Sequence, residues 1–334
     1  MPGGRGRSRR RNPRLTPLRL DGVATYPLSR RRSKVGLAAF ARPHRAGARF
    51  SSFLDGLPGV LAGQTLPALR DEIVRARSRR RPIVWGLGAH VLKVGLSRVL
   101  IDLMERGFVS AVALNGAGIV HDFELAVSGK TSEDVEAGLG SGQFGMARET
   151  GEELNRAVVE GDAEGLGLGA AVGRYLSDRR RRPRHLDASL LAAAWRLGLP
   201  ATVHVAIGTD IVHVHPACDP GAIGRATHLD FRLLAAQVAH LGGGGVYLNV
   251  GSAVVLPEVF LKAVTLARNL GHRVEDFATA NLDFIQSYRP LVNVVGRPVR
   301  GTGRGYRLTG HHELLVPLLA AALVESKPPR RRRR

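Results

Sequence analysis

Short apolar runs recur along the middle of the chain, and most of them lead into glycine and then into a stretch with helical spacing. Each run is almost free of polar residues. Strands with this pattern are buried on both faces, as in a parallel sheet that helices cover on both sides. The predicted strands are 82–87, 109–114, 202–207 and 246–250, with a further apolar segment at 277–284.

Apolar positions spaced three and four residues apart predict helices between these strands. They predict one or two helices within 58–81, then helices at 96–106, from about 122, and at 149–160, 190–197, 231–241, 258–269 and 314–324. The alternation predicts the α/β class, with a doubly wound, mostly parallel sheet. Such sheets bind ligands at the carboxyl ends of their strands, so the residues that follow each strand are the first place to look for a site.

The net charge of +21 is concentrated at the two ends of the chain. Residues 1–81 contain 20 Lys and Arg against 4 Asp and Glu, residues 327–334 add six positive charges, and residues 82–326 have a net charge of −1. No sustained apolar period begins before about Leu57. We therefore predict a disordered Arg-rich extension at 1–56, a single domain at 57–326 and a basic tail at 327–334.

The basic ends have two interpretations. They can attract nucleic-acid phosphates nonspecifically, or they can be solvated extensions, the first of which could come from a start codon assigned too far upstream. The single Cys218 excludes a disulfide framework and is typical of a cytoplasmic protein. No apolar run approaches 18 residues, so neither a membrane span nor a secretory signal is predicted.

A glycine turn, Gly116-Ala117-Gly118, directly follows the predicted strand 109–114. Glycines at this place let backbone N–H groups approach a phosphate, because no Cβ atom blocks the way. The alternative is a tight strand-to-helix turn that needs positive φ angles. His121 and Asp122 come shortly after the turn and are the candidate acid or base residues. Asp122 could instead cap the next helix.

Asp210 follows the predicted strand 202–207 and could accept hydrogen bonds from a ribose or bind an amine. His204, His213 and His215 accompany it, and the His-x-His spacing is compatible with a metal site. Few carboxylates lie near these histidines in the sequence, however, and histidines at strand edges are more often scaffold residues than ligands. No metal is therefore predicted.

Taken in order, several segments of residues 82–325 resemble the deoxyhypusine synthase family. Gly116-Ala-Gly-Ile-Val-His-Asp122 resembles the family's glycine turn with its following acidic cluster, and Asp210-Ile-Val-His-Val-His215 is similar to its aspartate, apolar run and histidine. Glycines 242–245, the pair Thr279-Ala280 and the segment 314–319 follow in the family's order.

The resemblance implies an NAD-binding fold and a homotetramer that holds NAD and spermidine at subunit interfaces. Members of this family oxidise spermidine with NAD, form an imine on a lysine and pass the aminobutyl group to a protein lysine. Carried over to this chain, the resemblance gives Gly116, Ala117, Gly118, Asp210, Thr279 and Ala280 as cofactor contacts.

The chain departs from the family where the covalent step takes place. The corresponding stretch, 293–312, contains neither the family's motif nor a lysine, and the acidic pair after the glycine turn is replaced by Val120-His121. The leading hypothesis is therefore an NAD-dependent transferase acting on spermidine or another amine with altered catalytic residues. The alternatives are a noncatalytic nucleotide-binding or assembly protein on the same scaffold, and a nucleic-acid-binding protein that uses the basic ends.

Overall fold

The computed structural model describes residues 16–181 and 183–326. The chain divides into two compact units, residues 1–38 and 39–334. In the described part of the first unit, residues 16–38, every side chain is exposed to solvent. The predictions for residues 1–15 and for the tail 327–334 lie outside the described residues.

The larger unit is built around a parallel sheet. Within the described residues, six strands pair in the order β3-β2-β1-β4-β5-β6, and all five pairings are parallel. The strands are β1 Ile83–Leu87, β2 Ala111–Asn115, β3 Ala201–His204, β4 Val246–Val250, β5 Ala278–Asp283 and β6 Arg304–Thr309. The chain reverses its direction of winding between β1 and β4, which confirms the predicted doubly wound α/β class.

Helices connect the strands and cover both faces of the sheet. They are α1 Phe50–Asp55, α2 Leu61–Ser78, α3 Ala89–Lys93, α4 Ser97–Glu105, α5 Gly116–Ser128, α6 Val135–Leu139, α7 Arg148–Ala163, α8 Leu168–Ser177, α9 Leu190–Leu197, α10 Pro220–Ala239, α11 Val255–Asn269, α12 Tyr288–Pro290 and α13 His312–Val324.

Side chains of β1 show why the strand is apolar throughout. Ile83, Trp85 and Leu87 belong to one hydrophobic cluster, whereas Val84 belongs to a second cluster. Successive side chains of a strand point to opposite faces, so each face of the sheet has its own core. The indole N–H of Trp85 donates to the carbonyl oxygen of Phe108 at 3.2 Å, which satisfies the only polar atom of this buried side chain.

The structure differs from the sequence prediction at two places. The predicted extension 1–56 reaches too far, because the compact unit begins at Ala39 and α1 contributes the buried Leu54 to the core. The strand β6 was not predicted. It lies at the edge of the sheet, and its side chains are exposed or half-buried except for Leu308, so it lacks the apolar run of the other strands.

Candidate functional site

A cavity of about 240 Å³ lies where β2 and β3 end. Its walls come from the first turns of α5, the loop after β3 and the segment 132–144 that precedes α7. The lining residues are Lys93, Ala117, Val120, His121, Glu124, Ser132, Glu133, Val135, Phe144, Thr209, Asp210 and Ile211. The cavity thus brings together three of the residues that the sequence singled out, Ala117, His121 and Asp210.

The start of α5 decides which side chains face this cavity. The helix begins at Gly116, directly after β2, and not at about residue 122. Ala117, His121 and Glu124 are spaced four and three residues apart and so share one face of the helix. Asp122 lies inside the helix, which rules out the interpretation that it caps the helix start.

A chain of hydrogen bonds runs from His121 to Glu124 through Thr131. His121 Nδ1 lies 2.7 Å from Thr131 Oγ1, and Thr131 Oγ1 donates to Glu124 Oε2 at 2.6 Å. The threonine hydroxyl has a single proton, which it donates in the hydrogen bond to the carboxylate, so its oxygen must accept a hydrogen bond from His121 Nδ1–H. This arrangement fixes the neutral imidazole with its proton on Nδ1 and leaves Nε2 free to accept a proton.

Burial lowers the pKa of His121, because the charged imidazolium is poorly solvated at this site. The carboxylate of Glu124 acts in the opposite direction and raises this pKa, whereas Lys93 and His90 lower it further. The net effect is a pKa below the ordinary value for histidine, so His121 is neutral at physiological pH. A neutral histidine with a free Nε2 can act as a general base at physiological pH.

The charged groups of the cavity favour a cation. The cavity is lined by three carboxylates, those of Glu124, Glu133 and Asp210, and by one lysine, Lys93. Glu124 Oε1 also accepts from the buried Thr150 hydroxyl at 3.1 Å, and Glu133 Oε2 accepts from the N–H of Gly145 at 2.8 Å. These bonds hold two of the carboxylates in place. Positively charged amines form charge-assisted hydrogen bonds with such groups.

The carboxylate of Asp210 lies against the glycine turn that was predicted to bind a phosphate. A Cβ atom on Gly116 would lie 1.9 Å from Asp210 Oδ2, and the carboxylate accepts the backbone N–H of Ala117. Gly118 instead packs against the Leu114 side chain, at 3.1 Å from a Cβ atom built on the glycine. The start of α5 therefore already holds an anion of the protein itself, and the turn does not fit a pyrophosphate group.

The side chain of Asp122 does not line the cavity of His121. Its carboxylate is fully buried and accepts from Ser189 Oγ at 2.6 Å, from the Leu190 N–H at 2.6 Å and from the Leu191 N–H at 3.2 Å. Burial raises its pKa to about 6, against the effect of these hydrogen bonds. The carboxylate of Asp122, a residue of α5, therefore lies at the start of α9 and does not line the cavity of His121.

Other residues named from the sequence also lie outside this cavity. Thr279 and Ala280 are fully buried within β5, and Thr279 Oγ1 donates to the carbonyl oxygen of Val294 at 2.9 Å. His213 Nδ1 accepts from the Gly208 N–H, and His215 Nδ1 accepts from the Ala217 N–H, both at 3.1 Å. Among residues 16–181 and 183–326, no three His, Cys, Asp or Glu side chains are grouped in a way that could hold a metal ion.

A second cavity, of about 350 Å³, lies at the carboxyl ends of β4, β5 and β6. His312 is buried there, and its Nε2 donates to the Leu282 carbonyl oxygen at 3.2 Å and lies 3.6 Å from Asp283 Oδ1. The rings of His90 and His312 are 5.6 Å apart. The short helix α3 contributes to both cavities, with His90 in this one and Lys93 in the first.

The opposing effects of Lys93 and Glu124 on the pKa of His121 can be measured directly. We expect NMR titration of the His121 ring to give a pKa below the ordinary value of about 6.5. Glu124→Gln should lower this pKa further, because it removes the anion that stabilises the imidazolium, and Lys93→Met should raise it. The controls Glu149→Gln and Lys262→Met change groups outside the cavity and should leave the titration unchanged. Shifts in the same direction for both cavity variants would contradict this account.

Sequence reasoning missed Lys93, Glu124, Thr131 and Glu133. The spacing between His121 and Glu124 identifies Glu124 as a neighbour only if the helix begins at the glycine turn, as it does in the structure. Thr131 and Glu133 lie beyond the end of α5, where no periodic pattern indicates which way a side chain points.

No protein-family model matches the chain, and no curated protein matches it. Solved structures do resemble it. The ternary complex of AgrE with ornithine and NAD+ is 15% identical, over 78% of this chain and 33% of AgrE, with a TM-score of 0.51. This chain thus spans about a third of the length of AgrE.

Two other solved structures are similar at lower scores. A conserved putative LOR/SDH protein from Methanococcus maripaludis S2 is 12% identical, over 78% of this chain and 68% of that chain, with a TM-score of 0.48. A putative deoxyhypusine synthase from Entamoeba histolytica is 12% identical, over 83% of this chain and 94% of that chain, with a TM-score of 0.46. The likeness to AgrE shows that the α/β fold of this chain is shared with about a third of AgrE.

Proposed function

We propose that this chain is an enzyme that binds a small amine in the cavity of His121 and uses His121 to remove a proton from it. The observation that carries the proposal is the hydrogen-bonded chain from His121 through Thr131 to Glu124. It combines a base that stays neutral at physiological pH with a carboxylate that stabilises the imidazolium formed when the base takes a proton.

The amine would enter as an ammonium ion, which the carboxylates of the cavity attract. An ammonium nitrogen has no lone pair and can neither attack another group nor be oxidised until it loses a proton. Transfer of that proton to His121 Nε2 gives the neutral amine, while Nδ1–H keeps its bond to Thr131. The imidazolium charge is then balanced by Glu124 across two hydrogen bonds, at 2.7 Å and 2.6 Å.

The remaining parts of the proposal come from the family resemblance. It suggests spermidine or another polyamine as the substrate, an aminoalkyl transfer as the reaction, NAD as the cofactor and a homotetramer as the assembly. AgrE, which shares the fold, was crystallised with ornithine and NAD+. Because Asp210 fills the turn at Gly116, we assign no cofactor contact to that turn and derive no step through NAD.

The same observation on Asp210 favours a second candidate, a noncatalytic protein that kept the scaffold. A carboxylate bound to the Ala117 N–H competes with any phosphate at the start of α5. This candidate predicts that a ligand binds without turnover.

Calorimetry with spermidine tests amine binding, and the reduction of NAD in the presence of spermidine tests turnover. We expect spermidine to bind, and Glu133→Gln to weaken its binding by about ten- to a hundredfold, since a charge-assisted hydrogen bond contributes about 1.5–3 kcal/mol. Glu149→Gln removes an exposed carboxylate outside the cavity and should leave binding unchanged. No binding of spermidine or of shorter diamines would refute the proposal, and binding without turnover would favour the noncatalytic candidate.

A further inference from the structure

A third concave surface lies at the amino ends of β4, β5 and β6, on the opposite side of the sheet from the two cavities described above. It encloses about 480 Å³ between the end of α2 and the turns that precede these strands. We call it the amino-edge cleft. Its lining residues are Glu72, Arg75, Arg79, Gly243, Gly244, Asp276, Phe277, Ala278, Thr302, Gly303 and Arg304.

Two of its arginines are held by one carboxylate. Glu72 Oε2 lies 2.7 Å from Arg75 Nη2, and Glu72 Oε1 accepts from Arg304 Nη1 at 2.6 Å and from the Tyr306 hydroxyl at 3.1 Å. The side chain of Glu72 is only 11% exposed, whereas those of Arg75 and Arg304 are 43% and 68% exposed. Each guanidinium has five N–H donors and uses few of them here, so both are oriented with donors left over.

Arg79 and Arg81 lie against the glycine turn of the same cleft. Arg79 Nη1 is 3.4 Å from a Cβ atom built on Gly244, and Arg81 Nη2 is 3.1 Å from one built on Gly243. Both glycines have positive φ angles, of 73° and 111°, so the turn itself requires glycine. Neither arginine forms an ion pair with any residue in the described part of the chain.

The charges around the cleft leave an excess of cations. Three guanidiniums and two carboxylates line the cleft, and Arg81 adds a fourth guanidinium beside Gly243. The neighbouring Glu275 is already paired with Arg273, at 2.8 Å. The Thr302 hydroxyl accepts the Asp276 N–H at 3.3 Å and keeps its own proton for donation. Oriented guanidiniums bind phosphate oxygens, and their donor geometry matches them.

We propose that the amino-edge cleft binds the phosphate group of a small phosphorylated molecule. The cleft is concave and separate from the cavity of His121, so the proposal is independent of the proposed function. Arg79 and Arg304 contact the phosphate, and Glu72 is a positioning residue that orients Arg75 and Arg304.

Calorimetry of the full chain with inorganic pyrophosphate at low ionic strength tests this. We expect one site per chain, and we expect the double variant Arg79→Gln/Arg304→Gln to weaken it by about tenfold or more, since two charge-assisted contacts are lost. The control Arg98→Gln/Arg196→Gln removes the same charge from exposed ion pairs with Asp187 and Glu105, which do not line the cleft, and should leave the affinity unchanged.

Two further measurements keep the result interpretable. The single variant Arg79→Gln breaks no ion pair, so a weaker site in this variant with an unchanged melting temperature supports the proposal even if Arg304→Gln disturbs the fold. Equal losses in the cleft and control variants would overturn it, because they would show a general response to net charge. The proposal would also be overturned if the chain bound RNA but did not bind pyrophosphate.

Discussion

Asp122→Ala should lower the free energy of unfolding by about 3 kcal/mol or more. The variant leaves the N–H groups of Leu190 and Leu191 and the Ser189 hydroxyl without their buried acceptor, and an unsatisfied buried polar group costs about 1–3 kcal/mol. The loss should appear as a lower midpoint in urea unfolding, with the slope unchanged.

Asp102→Ala provides the matched control for this variant. Asp102 belongs to an exposed ion pair with Arg106, and its removal should change stability by no more than about 0.5 kcal/mol. If Asp122→Ala kept its full stability and lost only amine turnover, Asp122 would return as a catalytic residue.

His121→Gln should reduce turnover of the amine by about 10²–10⁴-fold, the usual contribution of a positioned acid or base. Glutamine is close in size and can still bond to Thr131, but it cannot take a proton at physiological pH. The measurement is NAD reduction with saturating spermidine, with spermidine affinity followed separately by calorimetry. We expect the affinity to change little, because the carboxylates that attract the amine remain.

Thr131→Val tests the contribution of the hydrogen bond to His121 separately from that of the imidazole itself. This variant keeps His121 but removes the hydroxyl that fixes its proton on Nδ1, so turnover should fall by less than in His121→Gln, and its dependence on pH should change. Full turnover in His121→Gln would show that another group accepts the proton and would remove the basis of the proposed mechanism.

The sheet could be predicted from the sequence because parallel strands buried on both faces are apolar at most positions. Residues 83–87 and 246–250 are such strands, and both were predicted within a residue or two. The edge strand β6 could not be found in this way, since solvent covers part of it and Arg304 and Arg307 are tolerated there.

The site was harder to predict than the fold, for a geometric reason. His121 was identified as the candidate base, but its partners depend on where α5 begins and on how the chain returns after the helix. Starting the helix six residues late hid the spacing between His121 and Glu124. The position of Asp210 against Gly116 depends on the pairing of β2 with β3, and it brings together two residues that are 94 positions apart.

The bond between Glu72 and Arg304 joins residues 232 positions apart, and this separation bears on how the protein is made. At the usual rate of about 5–20 residues per second, a ribosome needs roughly 10–50 s to add β6 after α2 has been synthesised. Throughout that interval α2 lacks β6 and α13, against which it packs, and at its end, once β5 has been synthesised, one edge of β5 has no neighbour. A nascent chain of this protein therefore exposes apolar helix and open sheet edge together, which is the state that chaperones recognise, until the strand that completes the amino-edge cleft has emerged.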